Sequence, residues 1–221
     1  MEALKEVLGE LPDLDMVFQP TETGLRGFAL GKSATYAVDI SVEVPEKDKL
    51  PSELFKFNTT TLGRLLDLGG RISVSEEDLV IQNEDTVINW RKLNMENDDR
   101  IKEINLPEQR IEVELTQTMT EKIKKLSDVL VSNEYLFYVK DGMLHITVVG
   151  ANKTAQNKAN YNTGIPIKDM PPVRFDFVVT YALKSSVLVS FPTTEIVSPA
   201  KFVRKGNGWI INYYIMPLVD E

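Results

Sequence analysis

The chain has no cysteine and one histidine, His145. The first absence excludes disulfides, thiolate nucleophiles and cysteine-ligated metal. The second leaves a histidine-based triad or metal centre without material. His145 lies in an alternating stretch, on the face opposite Leu144, Ile146 and Val148, and reads as a structural or solvent-facing residue. No apolar run reaches the ~18 residues of a membrane span. The opening MEALKEVLGEL is acidic and amphipathic, without the basic flank and apolar centre of a secretory signal. A cytoplasmic protein is the expectation.

Phosphate-cradling motifs are also missing. There is no GxxxxGK[ST] and no GxGxxG after a strand. Gly24, Gly27 and Gly31 have the wrong spacing and read as turn glycines. Glu96, Asp98 and Asp99 are too irregularly spaced for a hard-cation loop. No pair of carboxylates is singled out by position. The expectation is a protein without catalytic residues, metal or cofactor.

What is present is an ordinary globular composition, 43% hydrophobic and 26% charged over 221 residues. That length holds one large or two small domains. The net charge of -8 is unevenly spread. Residues 1–108 hold 12 Lys+Arg against 22 Asp+Glu, and residues 109–221 hold 13 against 11. An acidic total argues against tight non-specific binding to nucleic acid, because affinity rises with each phosphate neutralised. It leaves room for a local positive surface.

Short alternating strands dominate. Ile111, Val113 and Leu115 alternate with glutamates, and Val173, Phe175 and Phe177 with Arg174 and Asp176. Period two marks an antiparallel sheet with one buried face. A larger unit of strand, short helix and hairpin recurs. One copy runs through 53–57, 58–68, 71–75 and 79–83. A second runs through 110–115, 116–131, 135–140 and 143–149. A third has a strand over 173–179, a helix over 180–187 and strands at 194–197, 200–204 and 209–215. The N-terminal helix, with strands at 16–19, 26–30 and 35–42, forms a fourth that lacks its first strand. Two domains of two units follow: 1–93 and 110–221, joined by a charged connector over 94–109 that contains Pro107.

The helix over 116–131 buries Met119, Ile123, Leu126 and Leu130 and exposes Lys124 and Lys125 among Gln117, Glu121 and Asp128. The helix over 58–68 buries Leu62, Leu65 and Leu66 and exposes Thr60, Arg64 and Asp67, with Asn58 as its cap. The first helix buries Leu4, Val7, Leu8 and Leu11 and exposes Lys5; the last exposes Lys184. Alone, these are ordinary solvated faces. The two tryptophans and nine phenylalanines fall largely in strands and read as core; Tyr181 beside Lys184 is the one aromatic–basic pairing.

The ending Tyr213-Tyr214-Ile215-Met216-Pro217-Leu218-Val219-Asp220-Glu221 resembles that of proliferating-cell-nuclear-antigen-type clamps. There a final strand closes on an aromatic–aliphatic–Pro segment and an acidic tail. The length and two-part organisation resemble the trimeric sliding clamps of T-even-type bacteriophages. Similarity to these covers 54–90, 137–152 and 175–216, in order and spacing more than in identity.

This resemblance implies an α+β clamp fold, with antiparallel sheets outside and short amphipathic helices lining an inner face. It implies a non-enzymatic processivity factor: a homotrimeric ring around double-stranded DNA, tethering a replicative polymerase and opened by a clamp loader. It nominates Lys5, Arg64, Lys122, Lys124, Lys125 and Lys184 as DNA-facing. It nominates Ile101, Ile104 and Leu106 with Tyr214, Ile215, Met216 and Pro217 as a pocket for a partner peptide. The alternative is a β-rich self-assembling structural or scaffolding protein, phage or cellular, that touches no DNA.

Overall fold

A computed structural model describes residues 1–31, 34–44, 53–96, 100–108, 110–151, 157–193 and 198–218. It divides into two compact units. Unit 1 comprises Met1–Ile104 and Lys205–Ile211; unit 2 comprises Asn105–Arg204 and Asn212–Glu221.

Unit 1 begins with α1 (Glu2–Glu10), then β1 (Asp15–Pro20), β2 (Gly24–Leu30), β3 (Tyr36–Glu43) and β4 (Phe55–Asn58). It continues through α2 (Thr59–Asp67), β5 (Arg71–Val74), β6 (Asp78–Gln82) and β7 (Val87–Arg91). The first four strands are antiparallel in the order β4-β1-β2-β3, and the last three form a meander β5-β6-β7. Leu4, Val7 and Leu8 are the buried stripe of α1. Leu62, Leu65 and Leu66 are that of α2, and the Asn58 side chain accepts from the Thr61 N–H at 3.0 Å as the cap. Thr59 fixes the start of α2: its Oγ1 accepts from the Leu14 N–H at 3.0 Å and donates to the Pro12 carbonyl at 2.9 Å.

Unit 2 repeats this plan with one strand more. It runs β8 (Arg110–Leu115), α3 (Gln117–Leu130), β9 (Ser132–Lys140), β10 (Met143–Gly150), β11 (Lys158–Pro166) and β12 (Val173–Asp176). After α4 (Val179–Ala182) come β13 (Val187–Pro192), β14 (Ala200–Gly206) and β15 (Trp209–Ile215). The sheet β11-β10-β9-β12 matches β3-β2-β1-β4 of unit 1, and the meander β13-β14-β15 matches β5-β6-β7. The additional strand, β8, pairs with the outer edge of β13. The core of unit 2 centres on Phe137, Phe175, Phe191 and Phe202, all fully buried, with ring centroids 5.4–6.5 Å apart. The tip of the β14–β15 hairpin belongs to unit 1, where the Glu43 N–H donates to the Gly208 carbonyl at 2.7 Å.

Several sequence expectations need correction. The last helix covers Val179–Ala182 instead of 180–187, and Val187–Pro192 is a strand. The run Val187-Leu188-Val189-Ser190-Phe191 is β-branched and aromatic and buries nearly every side chain, which suits a covered strand better than a helix. The expected strand at 194–197 lies outside the described residues. β11 went unrecognised because its sequence, KANYNTGIP, is polar. Gly27 lies inside β2 and is not a turn glycine, whereas Gly24 opens that strand and closes the β1–β2 turn, its carbonyl accepting from the Thr21 N–H at 2.8 Å. A Cβ on Gly27 would sit 2.6 Å from Met16 Sδ and 2.8 Å from Ile40 Cγ1, so glycine serves close packing there. Trp209 is buried as expected, but Trp90 is 48% exposed. The buried seam of α3 is Thr120, Ile123 and Ser127; Met119, Leu126 and Leu130 are only half-buried.

No helix among the described residues is long and apolar enough to cross a membrane.

Candidate nucleic-acid interface

α3 and α4 bound a cleft in unit 2 of about 280 Å³. Ile123, Ser127, Tyr135 and Leu183 form its base, and Lys124, Asp128, Thr180, Tyr181 and Lys184 its rim. The helix spacing explains the arrangement. Ile123 and Ser127 are four apart and turn inward, so Lys124 and Asp128 flank the opening. Thr116 caps α3, its Oγ1 accepting from the Met119 N–H at 3.4 Å.

At the base, Ser127 Oγ and the Tyr135 hydroxyl are 2.6 Å apart and buried. Burial pushes the Tyr135 phenol above the ordinary tyrosine value, and its hydrogen bond with Ser127 opposes that shift only in part. The phenol is therefore a neutral hydrogen-bonding group at any physiological pH. At the rim, the Lys184 ammonium lies 5.8 Å from the centroid of the Tyr181 ring, within cation–π range. Lys124 is exposed. The cleft thus presents two ammonium groups against the one carboxylate of Asp128, with an aromatic face and hydroxyls, a rim of net positive charge toward solvent.

Other nominated cations are placed differently. Lys125 is exposed on α3 one residue beyond Lys124. The Lys122 ammonium lies 4.6 Å from the centroid of the Tyr161 ring on β11, turned toward the sheet edge instead of the cleft. In unit 1, Arg64 is exposed on α2. Lys5 is drawn across to Asp67, with 3.8 Å between Nζ and Oδ1, which ties α1 to α2 and offsets its charge. Among the described residues, no group of His, Asp or Glu is arranged to hold a metal. Asp98 and Asp99 lie outside the described residues. His145 is half-buried beside its cross-strand partner Tyr138, with ring centroids 5.5 Å apart.

The nominated peptide-pocket residues divide between the units. Ile101 and Ile104 are half-buried in unit 1. In unit 2, Tyr214 and Ile215 are buried, and Leu106, Met216 and Pro217 are half-buried. The Lys201 ammonium lies 5.7 Å from the Tyr214 ring centroid, and the Leu218 N–H donates to the Arg174 carbonyl at 2.8 Å, holding the final segment beside β12.

Sequence reasoning missed Ser127, Tyr135 and Thr180. The one available signal was the hydroxyl of Tyr135, set on the strand face it shares with Phe137.

Neither the family models nor the curated proteins give a match to this chain. Solved structures do. The proliferating cellular nuclear antigen of Entamoeba histolytica superposes with a TM-score of 0.73 at 16% identity, covering 98% of this chain and 95% of that one. This chain has the sliding-clamp fold. The A. fulgidus clamp, solved with the C-terminal region of FEN-1 bound, gives 0.71 at 14% identity over 100% and 96% of the two chains. A clamp chain from the PCNA2–PCNA3 complex of Sulfolobus tokodaii gives 0.68 at 15% identity, covering 97% and 94%. The clamp fold therefore accounts for the whole length of the chain. Its α+β class and antiparallel sheets are those the sequence implied.

Proposed function

We propose that this protein is a DNA sliding clamp: a non-catalytic processivity factor whose copies close into a homotrimeric ring around duplex DNA. The observation that carries this reading is the match of the clamp fold over the entire chain, both units included. The two units act as the two clamp domains. Lys124, Lys125, Lys184 and Arg64 face the duplex, whereas Lys5, offset by Asp67, and Lys122, turned to Tyr161, contribute less. A ring holds DNA by topology and needs few phosphate contacts, so an acidic protein can slide.

Ring closure uses the open strand edges. β7 ends the meander of unit 1 and β11 ends a sheet of unit 2. Exposed apolar groups adjoin both: Val87 and Trp90 on β7 are 57% and 48% exposed, and Val129 and Val131 at the end of α3 are 81% and 73% exposed. Such surfaces invite pairing. A head-to-tail contact between different surfaces closes when the rotation fits. The negative balance of residues 1–108 favours that contact with the mildly positive remainder.

Ile101, Ile104, Leu106, Tyr214, Ile215, Met216 and Pro217 are proposed to receive a short peptide of the polymerase, the clamp loader or another DNA-processing partner. The related clamp carrying the C-terminal region of FEN-1 supports that kind of occupant.

The absence of cysteine makes a direct test possible. One cysteine is placed in β7 and one in β11, and the protein is reassembled with nicked circular or linear plasmid and oxidised. A covalent trimer that stays on the circle and slips off the linear form in denaturant is expected. A strictly monomeric protein at tens of micromolar, or trimers that retain neither plasmid, would reject the reading in favour of a scaffold without DNA contact.

A further inference from the structure

The two units differ at one strand position, which is filled in unit 2 and has no occupant among the described residues in unit 1. In unit 2, β8 lies against β13 with Leu115 opposite Val187, Val113 opposite Val189 and Ile111 opposite Phe191. Val187, Val189 and Phe191 are consequently no more than 1% exposed. In unit 1 the equivalent of β13 is β5, which likewise follows the second helix and opens a three-stranded meander. Among the described residues, β5 pairs with β6 alone. Its inward residues, Ile72 and Val74, share a face with the buried Leu79 and Ile81, yet they remain half-exposed.

The backbone of this edge is open too. The Ser75 N–H donates to the Asp78 carbonyl at 2.8 Å. Alternation then turns the N–H groups of Ser73 and Arg71 toward β6 and those of Ile72 and Val74 outward. An edge with two donors and two acceptors that have no partner among the described residues, and two half-bare aliphatic side chains, is a template for an added strand.

The charge at the edge selects the occupant. Arg71 is exposed and forms no ion pair with any described residue. The strand filling the same position in unit 2 carries outward Glu112 and Glu114 between its apolar residues. We infer that β5 accepts an extended segment of a partner polypeptide, with apolar side chains alternating with acidic ones, as an added antiparallel strand. This position is separate from β7, the edge assigned to ring closure, so the inference stands independently of the clamp reading.

The probe is a synthetic peptide with the sequence of β8, RIEVEL, added to the intact protein and followed by hydrogen exchange. In the free protein, the Ile72 and Val74 amides should exchange fast and those of Arg71 and Ser73 slowly. Millimolar peptide should slow Ile72 and Val74 at least tenfold. Replacing both glutamates of the peptide by lysine should weaken binding about two- to fivefold, and Arg71→Glu should invert that preference. Val74→Pro removes an outward donor without touching the β5–β6 ladder, and should abolish peptide protection while leaving oligomeric mass unchanged. Protection at β7 or β11 instead, or no protection at millimolar peptide, would overturn the inference. So would uniformly slow exchange of β5 in the free protein. A fall in oligomeric mass caused by Val74→Pro would show that a second copy occupies the edge, which also overturns it.

Discussion

The hydroxyls of Ser127 on α3 and Tyr135 on β9 lie 2.6 Å apart and are buried, joining helix to sheet directly beneath the cleft rimmed by Lys124 and Lys184. The position of the rim lysines therefore depends on a hydrogen bond inside the protein.

Tyr135→Phe removes that bond and leaves Ser127 Oγ without its partner. A loss of about 1–2 kcal/mol is expected at pH 7 in denaturant titration. The pH dependence has a definite sign. The folded-state phenol holds its proton above the ordinary tyrosine value near 10. Its contribution is fully present below that value and is lost as pH rises toward the folded one. The wild-type advantage over Tyr135→Phe should shrink above pH 10 and stay constant between pH 6 and 9.

Lys124→Glu with Lys125→Glu changes exposed side chains only. Stability and oligomeric mass should stay within about 0.5 kcal/mol and one mass class of wild type. Retention on circular DNA should fall, and the dependence of log affinity on log salt should become shallower by about 0.9 for every phosphate no longer neutralised. An unchanged salt slope would remove these lysines from the interface.

Trp90→Ala truncates a side chain that is 48% exposed on β7. Thermal unfolding of the separated subunit should shift little. Self-association should weaken by about 2 kcal/mol or more, roughly thirtyfold, measured by sedimentation. Loss of the folded state without a change in association would contradict the assignment of β7.

Val131 ends α3 in the left-handed region, with φ 48° and ψ 57°, while its side chain is 73% exposed. A β-branched residue there costs about 1–2 kcal/mol. Val131→Gly should stabilise the isolated subunit by about that much and weaken self-association, since it also removes apolar surface beside β11. An increase in both would place Val131 outside the interface.

Gly27→Ala should destabilise by about 1–3 kcal/mol, because its Cβ would collide with Met16 and Ile40 between neighbouring strands. A neutral result in denaturant titration would show that Met16 moves aside freely.

How much of this was legible in the sequence depended on amphipathicity. α1, α2 and α3 announced themselves because Leu4, Leu62 and Ile123 recur at helical spacing with neighbours. β8 and β12 did so because Val113 and Phe175 alternate with charges. β11 was hidden, because its burial alternates through Ala159, Tyr161 and Thr163 instead of through large aliphatic groups. β13 beyond Val187 is left unassigned by the sequence, because burial on both faces erases a period of two. The rim lysines were nominated from helix faces, but nothing local distinguishes Lys124 from Lys122. That distinction depends on Tyr161, which is remote from both along the chain. Lys5 was likewise nominated without sight of Asp67.

Because unit 1 includes Lys205–Ile211 as well as Met1–Ile104, its sheet stays unfinished until the intervening hundred or so residues of unit 2 have also been made. On the ribosome, the amino-terminal segment would emerge with β3 still bare along one side, waiting for a hairpin synthesised after most of unit 2. Cutting the gene between the two units should therefore give an aggregation-prone amino-terminal fragment, rescued only when residues 205–211 are supplied in trans.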